Sequence, residues 1–470
     1  MSSPTETAAP AESPPITEPL PLVAFERYML ADDSADYPML PVTELVFEGH
    51  FNRAAFESAV ERGLARNTLL RSRVVDHRGK PCWLYQPSAW PQIEWTKDCD
   101  DTNDSITPPI DLRQEIGLRL HLREHGNQTS LLIQNHHACA DGDGVAQFVE
   151  DLLYGYAELT DPNAGSLKFR KLDQSRLHGR GAFVRESSAP PPPRTWRDHW
   201  RSTRDSLRFV TTRPVALASP HGRVRGQSAA LSHRHLLTRR LSTDQSTAIR
   251  QAALAHGVQV NDYVLGCLMM TLARWNEQHS SLARRSSLRI LMPTNLRSRG
   301  DLRTPGVNLS SFAFVTRTAA DLADRAALLQ GIAAETQYIQ RNRVGLEFIN
   351  SVGLLLAIPG ALPAILKHGG CVATAVLSYI GDHARRIFKQ LPRDNGRVVA
   401  GDVIMDQVYF SPPVRSQTRL AIGMTNYVGR MHLGLKCDPW LFTAHDAQRL
   451  LDAVVGQILQ GTETSTIPAV

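Results

Sequence analysis

One change of hydrophobic period, between Gly117 and Tyr156, constrains the fold more than any other feature of the chain. Leu118, Leu120 and Leu122 alternate with Arg119 and His121, Gly126-Asn127 marks a turn, and Leu131–Ile133 form the return strand. Period two on both sides of a Gly-Asn turn predicts a β-hairpin. Soon afterwards Val145, Phe148, Val149, Leu152, Leu153 and Tyr156 recur at i, i+3, i+4, i+7, i+8 and i+11, the stripe of an amphipathic helix. Asp143 reads as its N-cap. A hairpin feeding a one-sided helix requires a sheet for that helix to cover.

The same signals recur along the 470 residues, a length that implies more than one folded unit. Leu45–Phe47 supply a strand, Phe56, Val60 and Leu64 a helix, and Leu69–Val75 an extended piece that continues past Gly79 into a further strand at 82–86. Order weakens over 160–230, where the run at 189–194 (APPPPR) is extended and Arg204–Val210 reads as helical. It returns with a strand at 236–242, a helix over Thr243–Gly257, and Val258–Trp275, which begins extended and becomes a long apolar helix. Strands follow at Ser287–Met292, ending in Pro293, and at Asn308–Thr318, then a helix over 319–342. Ala375–Tyr379, Val403–Phe410, Leu420–Tyr427 and His432–Leu435 read as strands, and 443–460 as the last helix. Hairpins and helices without strict βαβ alternation predict an α/β chain of α+β character, with mixed sheets in two lobes. The expected division is a disordered tail at 1–20, an N-terminal lobe at 21–210 and a C-terminal lobe at 211–470.

Phe348–Leu366 is the most apolar stretch, but Pro359, Pro363 and several glycines interrupt it. Buried helices or an apolar pocket wall fit it better than a transmembrane span, and a peripheral membrane contact fits as well. The six cysteines form no CxxC pair, and the N-terminus lacks the basic and apolar regions of a secretory signal. A reducing, cytoplasmic setting is therefore expected. Residues 166–240 hold 17 Lys+Arg against 4 Asp+Glu, within a chain of net charge +6. Such a zone is either a solvated linker or an attraction for an acidic or phosphorylated partner. No aromatic-interleaved RNA motif or zinc-finger spacing points to nucleic acid.

The sharpest chemical feature lies between hairpin and helix: His136-His137-Ala138-Cys139-Ala140-Asp141-Gly142. An imidazole held on a loop between strand and helix can take a proton from a hydroxyl or amine near neutral pH. A neighbouring carboxylate can orient the loop, and Gly142 permits a tight turn. A metal site would need a third ligand from elsewhere, because no HExxH spacing exists. The 141–144 run (DGDG) lacks the acidic register of an EF-hand.

This string resembles the HHxxxDG signature of the condensation-domain and chloramphenicol-acetyltransferase-like acyltransferase superfamily. The chain looks similar to it from about residue 20 to 462. Residues 44–74 resemble the opening segment, with Asn67-Thr68 in place of the usual His-Pro and Leu70-Arg71 retained. Residues 258–275 resemble the Asn-Asp helix, 292–301 (MPTNLRSRGD) the Pro-x-x-Leu-Arg strand end, and 377–382 the Ser-Asn-x-Gly string with Tyr379 in the Asn place. Residues 429–443 resemble the closing strand and its Asp. The DFGWG string of many relatives is absent, which moves the likeness toward stand-alone members such as wax-ester synthases.

The resemblance implies a two-lobed sandwich with a tunnel between the lobes. His137 would be the general base, with His136 packing beside it. Asp141 would be structural, paired with Arg71, and Gly142 would allow the turn. Ser378 and Asn308 are candidate oxyanion donors, beside backbone N–H groups near His137. No bound metal or cofactor is implied. Acyl-CoA or a phosphopantetheine thioester on a carrier protein would be a co-substrate, a small hydroxyl or amine the acceptor, and a monomer would suffice. Condensation-type amide formation on carrier-bound substrates, or a non-catalytic relative that only binds, are the competing readings.

Overall fold

A computed structural model describes residues 15–97, 109–162, 167–183, 212–221, 236–280 and 287–463. The Pro-rich run at 189–194, the helix expected at Arg204–Val210, most of the basic 166–240 zone and residues 1–14 of the tail lie outside the described residues.

The first half supplies β1 (Leu20–Pro21), α1 (Ala24–Ala31), β2 (Val42–Glu48), α2 (Arg53–Arg66), β3 (Ser72–His77), β4 (Lys80–Tyr85), β5 (Gln92–Lys97), β6 (Leu118–His125), β7 (Gln128–Asn135) and α3 (Gly142–Thr160). The second supplies β8 (Leu237–Arg240), α4 (Thr243–Ala255), α5 (Val260–His279), β9 (Ser287–Asn295), β10 (Ser310–Thr318), α6 (Arg325–Asn342), α7 (Gly345–Ala357), α8 (Ala361–His368), β11 (Ala375–Gly381) and α9 (His383–Ile387). It closes with β12 (Arg393–Asp394), β13 (Arg397–Ala400), β14 (Val403–Ser411), β15 (Leu420–Tyr427), β16 (Arg430–Cys437) and α10 (Ala444–Glu463).

Each lobe is built on one sheet. The seven-stranded sheet runs β12-β13-β14-β2-β7-β6-β5 and the six-stranded sheet β10-β9-β11-β15-β16-β8, with a small β1-β4-β3 sheet beside them. Both large sheets are mixed: β5 lies parallel to β6, and β11 parallel to β9 and β15. The β6–β7 hairpin turns at Gly126-Asn127, with Gly126 in the left-handed region. Pro293 does not end its strand. It sits opposite Phe312, beyond the residues where β11 pairs with β9, on an edge where a missing N–H is tolerated.

The lobes do not divide the sequence at one point. β14, from the second half, pairs antiparallel with β2 in the seven-stranded sheet, Val408 opposite Leu45. Gly423 and Gly434, on β15 and β16, make this crossing possible, since a β-carbon at either would overlap the Phe410 carbonyl oxygen. Two cores result. Phe47, Phe56, Leu64, Leu120, Ile133, Phe148 and Leu152 belong to one, and Val264, Leu268, Ile290, Leu329, Ile422, Leu433 and Leu450 to the other.

The apolar 348–366 stretch becomes α7 and α8, bent 116° at the break around Pro359-Gly360. Among the described residues no single helix is long and apolar enough to cross a membrane.

Candidate active site

The loop between β7 and α3 is fixed from three sides. His136 N–H donates to Gly117 O (3.0 Å), His137 N–H to Met39 O (2.9 Å), and Cys139 N–H to His136 O (2.9 Å). The buried Asn135 amide donates to Ala140 O at 2.9 Å. A β-carbon at Gly117 would overlap Cys139 Sγ, so this glycine admits the buried thiol. Burial raises the Cys139 pKa well above its usual value, which leaves the thiol unreactive.

Two tautomers follow from the hydrogen bonds. His136 Nδ1 accepts from Ala138 N–H at 3.2 Å, so its proton sits on Nε2, 3.6 Å from Asp33 Oδ2. His137 Nδ1 lies 3.3 Å from Ala140 O, an acceptor only, and 3.4 Å from Asn308 Nδ2, whose closer acceptor is His137 O at 2.8 Å; the carbonyl contact assigns the proton to Nδ1 and leaves Nε2 its lone pair. Burial lowers the His137 pKa below 6.5, outweighing the nearby Asp141 charge that would raise it. The ring is therefore neutral at pH 7. It faces a cavity of about 1310 Å³, lined from one lobe by Met39, Leu45 and Val149 and from the other by Leu291, Phe312 and Ser378.

Asp141, not Asp143, caps α3. Its backbone is extended and its Oδ1 accepts from Gly144 N–H at 3.0 Å. Asp143 lies within the first turn and accepts from Asn295. Asp141 also accepts from Leu309 N–H at 3.0 Å.

The ion-pair partner of Asp141 is Arg297 rather than Arg71. The guanidinium grips both carboxylate oxygens, at 2.7 and 2.6 Å, and donates to Val307 O at 2.7 Å. Burial opposes its charge, but Asp141 and Asp143 outweigh burial and raise its pKa. Arg71 instead pairs with Glu61 and donates to Ala89 O. The sequence held the signal, since Arg297 is the Arg of the Pro-x-x-Leu-Arg string at 293–297.

Gly142 differs from its expected role. Its φ is not in the left-handed region, and a β-carbon there meets nothing within 4 Å. It leaves room in the cavity rather than making a turn. The sterically required glycine is Gly144, whose β-carbon would lie 2.8 Å from Val307 O and 2.9 Å from Val307 N.

Asn308 is brought to His137, but its polar atoms are occupied. Nδ2 donates to His137 O at 2.8 Å, and Oδ1 accepts from Ser310 N–H and Oγ at 3.1 and 2.8 Å. It ties the His137 backbone to the other lobe, and its Nδ2 also lies 3.4 Å from His137 Nδ1. Ser378, on β11, lines the same cavity as His137. The Tyr379 hydroxyl accepts from Asn426 Nδ2 at 2.8 Å. Among the described residues no group of three or more His, Cys, Asp or Glu side chains is arranged to hold a metal ion.

Family models and curated proteins give no match to this sequence. Solved structures do. The first condensation domain of the calcium-dependent antibiotic synthetase, in complex with a substrate analogue, superposes with a TM-score of 0.66 at 18% identity, covering 95% of this chain and 96% of that one. The epimerization domain from the third module of tyrocidine synthetase B gives 0.65 at 14%, covering 97% and 99%. The starter condensation domain of rhizomide synthetase, in complex with C8-CoA and Leu-SNAC, gives 0.62 at 15%, covering 96% of each chain. The chain thus has the two-lobed fold of condensation domains over nearly its whole length. The likeness is one of fold, and it shows nothing of the finer lean toward wax-ester synthases.

Proposed function

We propose that this protein is an acyltransferase that moves an acyl group from a thioester to a hydroxyl or amine, with His137 as general base. One observation carries the reading. A neutral imidazole, its Nδ1–H directed at Ala140 O, keeps a free Nε2 lone pair at a cavity lined by both lobes.

Nε2 takes the proton of the acceptor as its oxygen or nitrogen attacks the thioester carbonyl. The proton then passes to the departing thiolate, so the base is regenerated. The tetrahedral oxyanion needs a donor aimed at it, and Ser378 on the cavity wall is the candidate, since the N–H groups of His136, His137, Ala138 and Cys139 already donate within the protein. Asp141 and Arg297 keep the loop in place and touch no reacting atom. No bound cofactor enters this scheme, and the donor is acyl-CoA or an acyl group on a carrier's phosphopantetheine arm. Condensation between two carrier-bound substrates is the second reading, supported by the fold of the synthetase domains.

Thiol release from a panel of acyl-CoAs and acyl-carrier proteins, with alcohol and amine acceptors, tests this. Acceptor-dependent release by wild type, lost in His137→Ala, is the expected result. No release from any donor by the folded protein overturns the reading.

A further inference from the structure

Residues 348–366 run nineteen positions without a charged side chain, yet of them the structure buries only Ile349, Val352 and Leu362. α7 and α8 form a convex corner with two different faces. The inner face, with Phe348, Val352, Leu355, Leu362 and Leu366, is a wall of the cavity that holds His137. The outer face presents Leu354 at 73% exposure and Ile358 at 60%. Scattered exposed leucines need no explanation, but a contiguous apolar corner does.

We infer that this corner seats the protein on an anionic lipid surface, with the cavity opening toward the bilayer. Three features select a bilayer over a protein partner. First, the corner is convex, bent 116° with Pro359-Gly360 at its apex, whereas an apolar docking site for a helix or strand is a groove. Second, the exposed outer face from Gly353 to Pro359 carries no hydrogen-bonding side chain, unlike the polar rim of a protein interface. Third, the exposed Lys367 and Arg386 also line the cavity, placing cationic groups at its rim where phosphate headgroups would lie. Apolar helical faces with flanking cations settle in the headgroup boundary rather than crossing it. The corner's double role would put an apolar-chained molecule leaving the bilayer on a continuous apolar path to His137.

The inference is independent of the catalytic role of His137, and its test reads binding. The full chain is sedimented with phosphatidylcholine vesicles and with vesicles containing phosphatidylglycerol. Leu354→Asp and Ile358→Asp lie outside the cavity lining, so the double variant folds, which its melting curve checks. Wild type binds the anionic vesicles preferentially, and the double variant loses about tenfold or more of that binding. Lack of wild-type binding, equal binding to both vesicle types, or undiminished binding by the folded double variant overturns the inference. Self-association in solution that the double variant abolishes, without vesicle binding, also overturns it and makes the corner a protein interface.

Discussion

Replacing Asp141 by Asn removes one charge and little volume, and the structure sets the cost. The Asn side-chain oxygen can still cap Gly144 N–H, so the loss falls on the pair with Arg297, two charge-assisted bonds at 2.6 and 2.7 Å, and on the Leu309 N–H bond at 3.0 Å. The Asp141 side chain is 5% exposed and that of Arg297 16%. Breaking a buried pair costs about 3–5 kcal/mol, because the remaining charge is left in low dielectric. Arg297 keeps some solvent, which puts the expected cost near the lower end, about 3 kcal/mol. Arg297→Gln strands the carboxylate instead and is expected to cost about the same. The double variant removes both charges, so it is expected to cost little more than either single one, a coupling of about 2–3 kcal/mol. Urea denaturation of the four proteins, fitted for midpoint and slope, measures the cycle. Additive single effects, with coupling under about 0.5 kcal/mol, would refute the assignment of Arg297 as the partner. Arg71→Gln, combined with Asp141→Asn, serves as control and is expected to be additive, since Arg71 pairs with Glu61.

The remaining predictions concern single positions. Activity is expected to be flat through neutral pH and to fall on the acid side, with an inflection below 6.5, because protonating His137 removes the base and burial lowers its pKa. An inflection above 7 in the kcat/KM profile would contradict that environment. Gly144→Ala is expected to cost about 1–3 kcal/mol, since its β-carbon meets the Val307 backbone, whereas Gly142→Ala is expected to fold normally and reduce turnover by narrowing the cavity. Parallel thermal melts and activity assays separate the two. Buried His432 has neither ring nitrogen hydrogen-bonded, and burial lowers its pKa to about 4. The unfolded chain binds that proton near 6.5, so stability is full above 6.5 and falls as pH drops toward 4. The loss is about 3 kcal/mol, and His432→Leu should flatten this acid limb.

Much of the fold was legible because it is local. The β6–β7 hairpin, α2, α3 and β15 follow from periodicity and turn residues within a few positions of each other. The His136–Gly142 loop was legible for the same reason, lying where one period gives way to another. Element ends were less so: Asp143 and Asp141 both precede the helical stripe, and only the backbone turn shows which carboxylate reaches Gly144 N–H.

What the sequence left open is what the two lobes decide together. The Asp141 partner lies 156 positions away, and choosing Arg297 over Arg71 required knowing which arginine the β9–β10 connection carries to the loop. Asn308, a candidate oxyanion donor by sequence, has both ends of its amide engaged, by Ser310 and by His137. β14 joins the first lobe's sheet only because Gly423 and Gly434 let the Phe410 carbonyl pass, and no local pattern records which sheet a strand completes. The sequence by itself determined most of the described elements and singled out the 136–142 loop. Pairings between distant segments were decided by the tertiary structure, because long-range charge pairs and sheet edges are selected by packing and not by spacing along the chain.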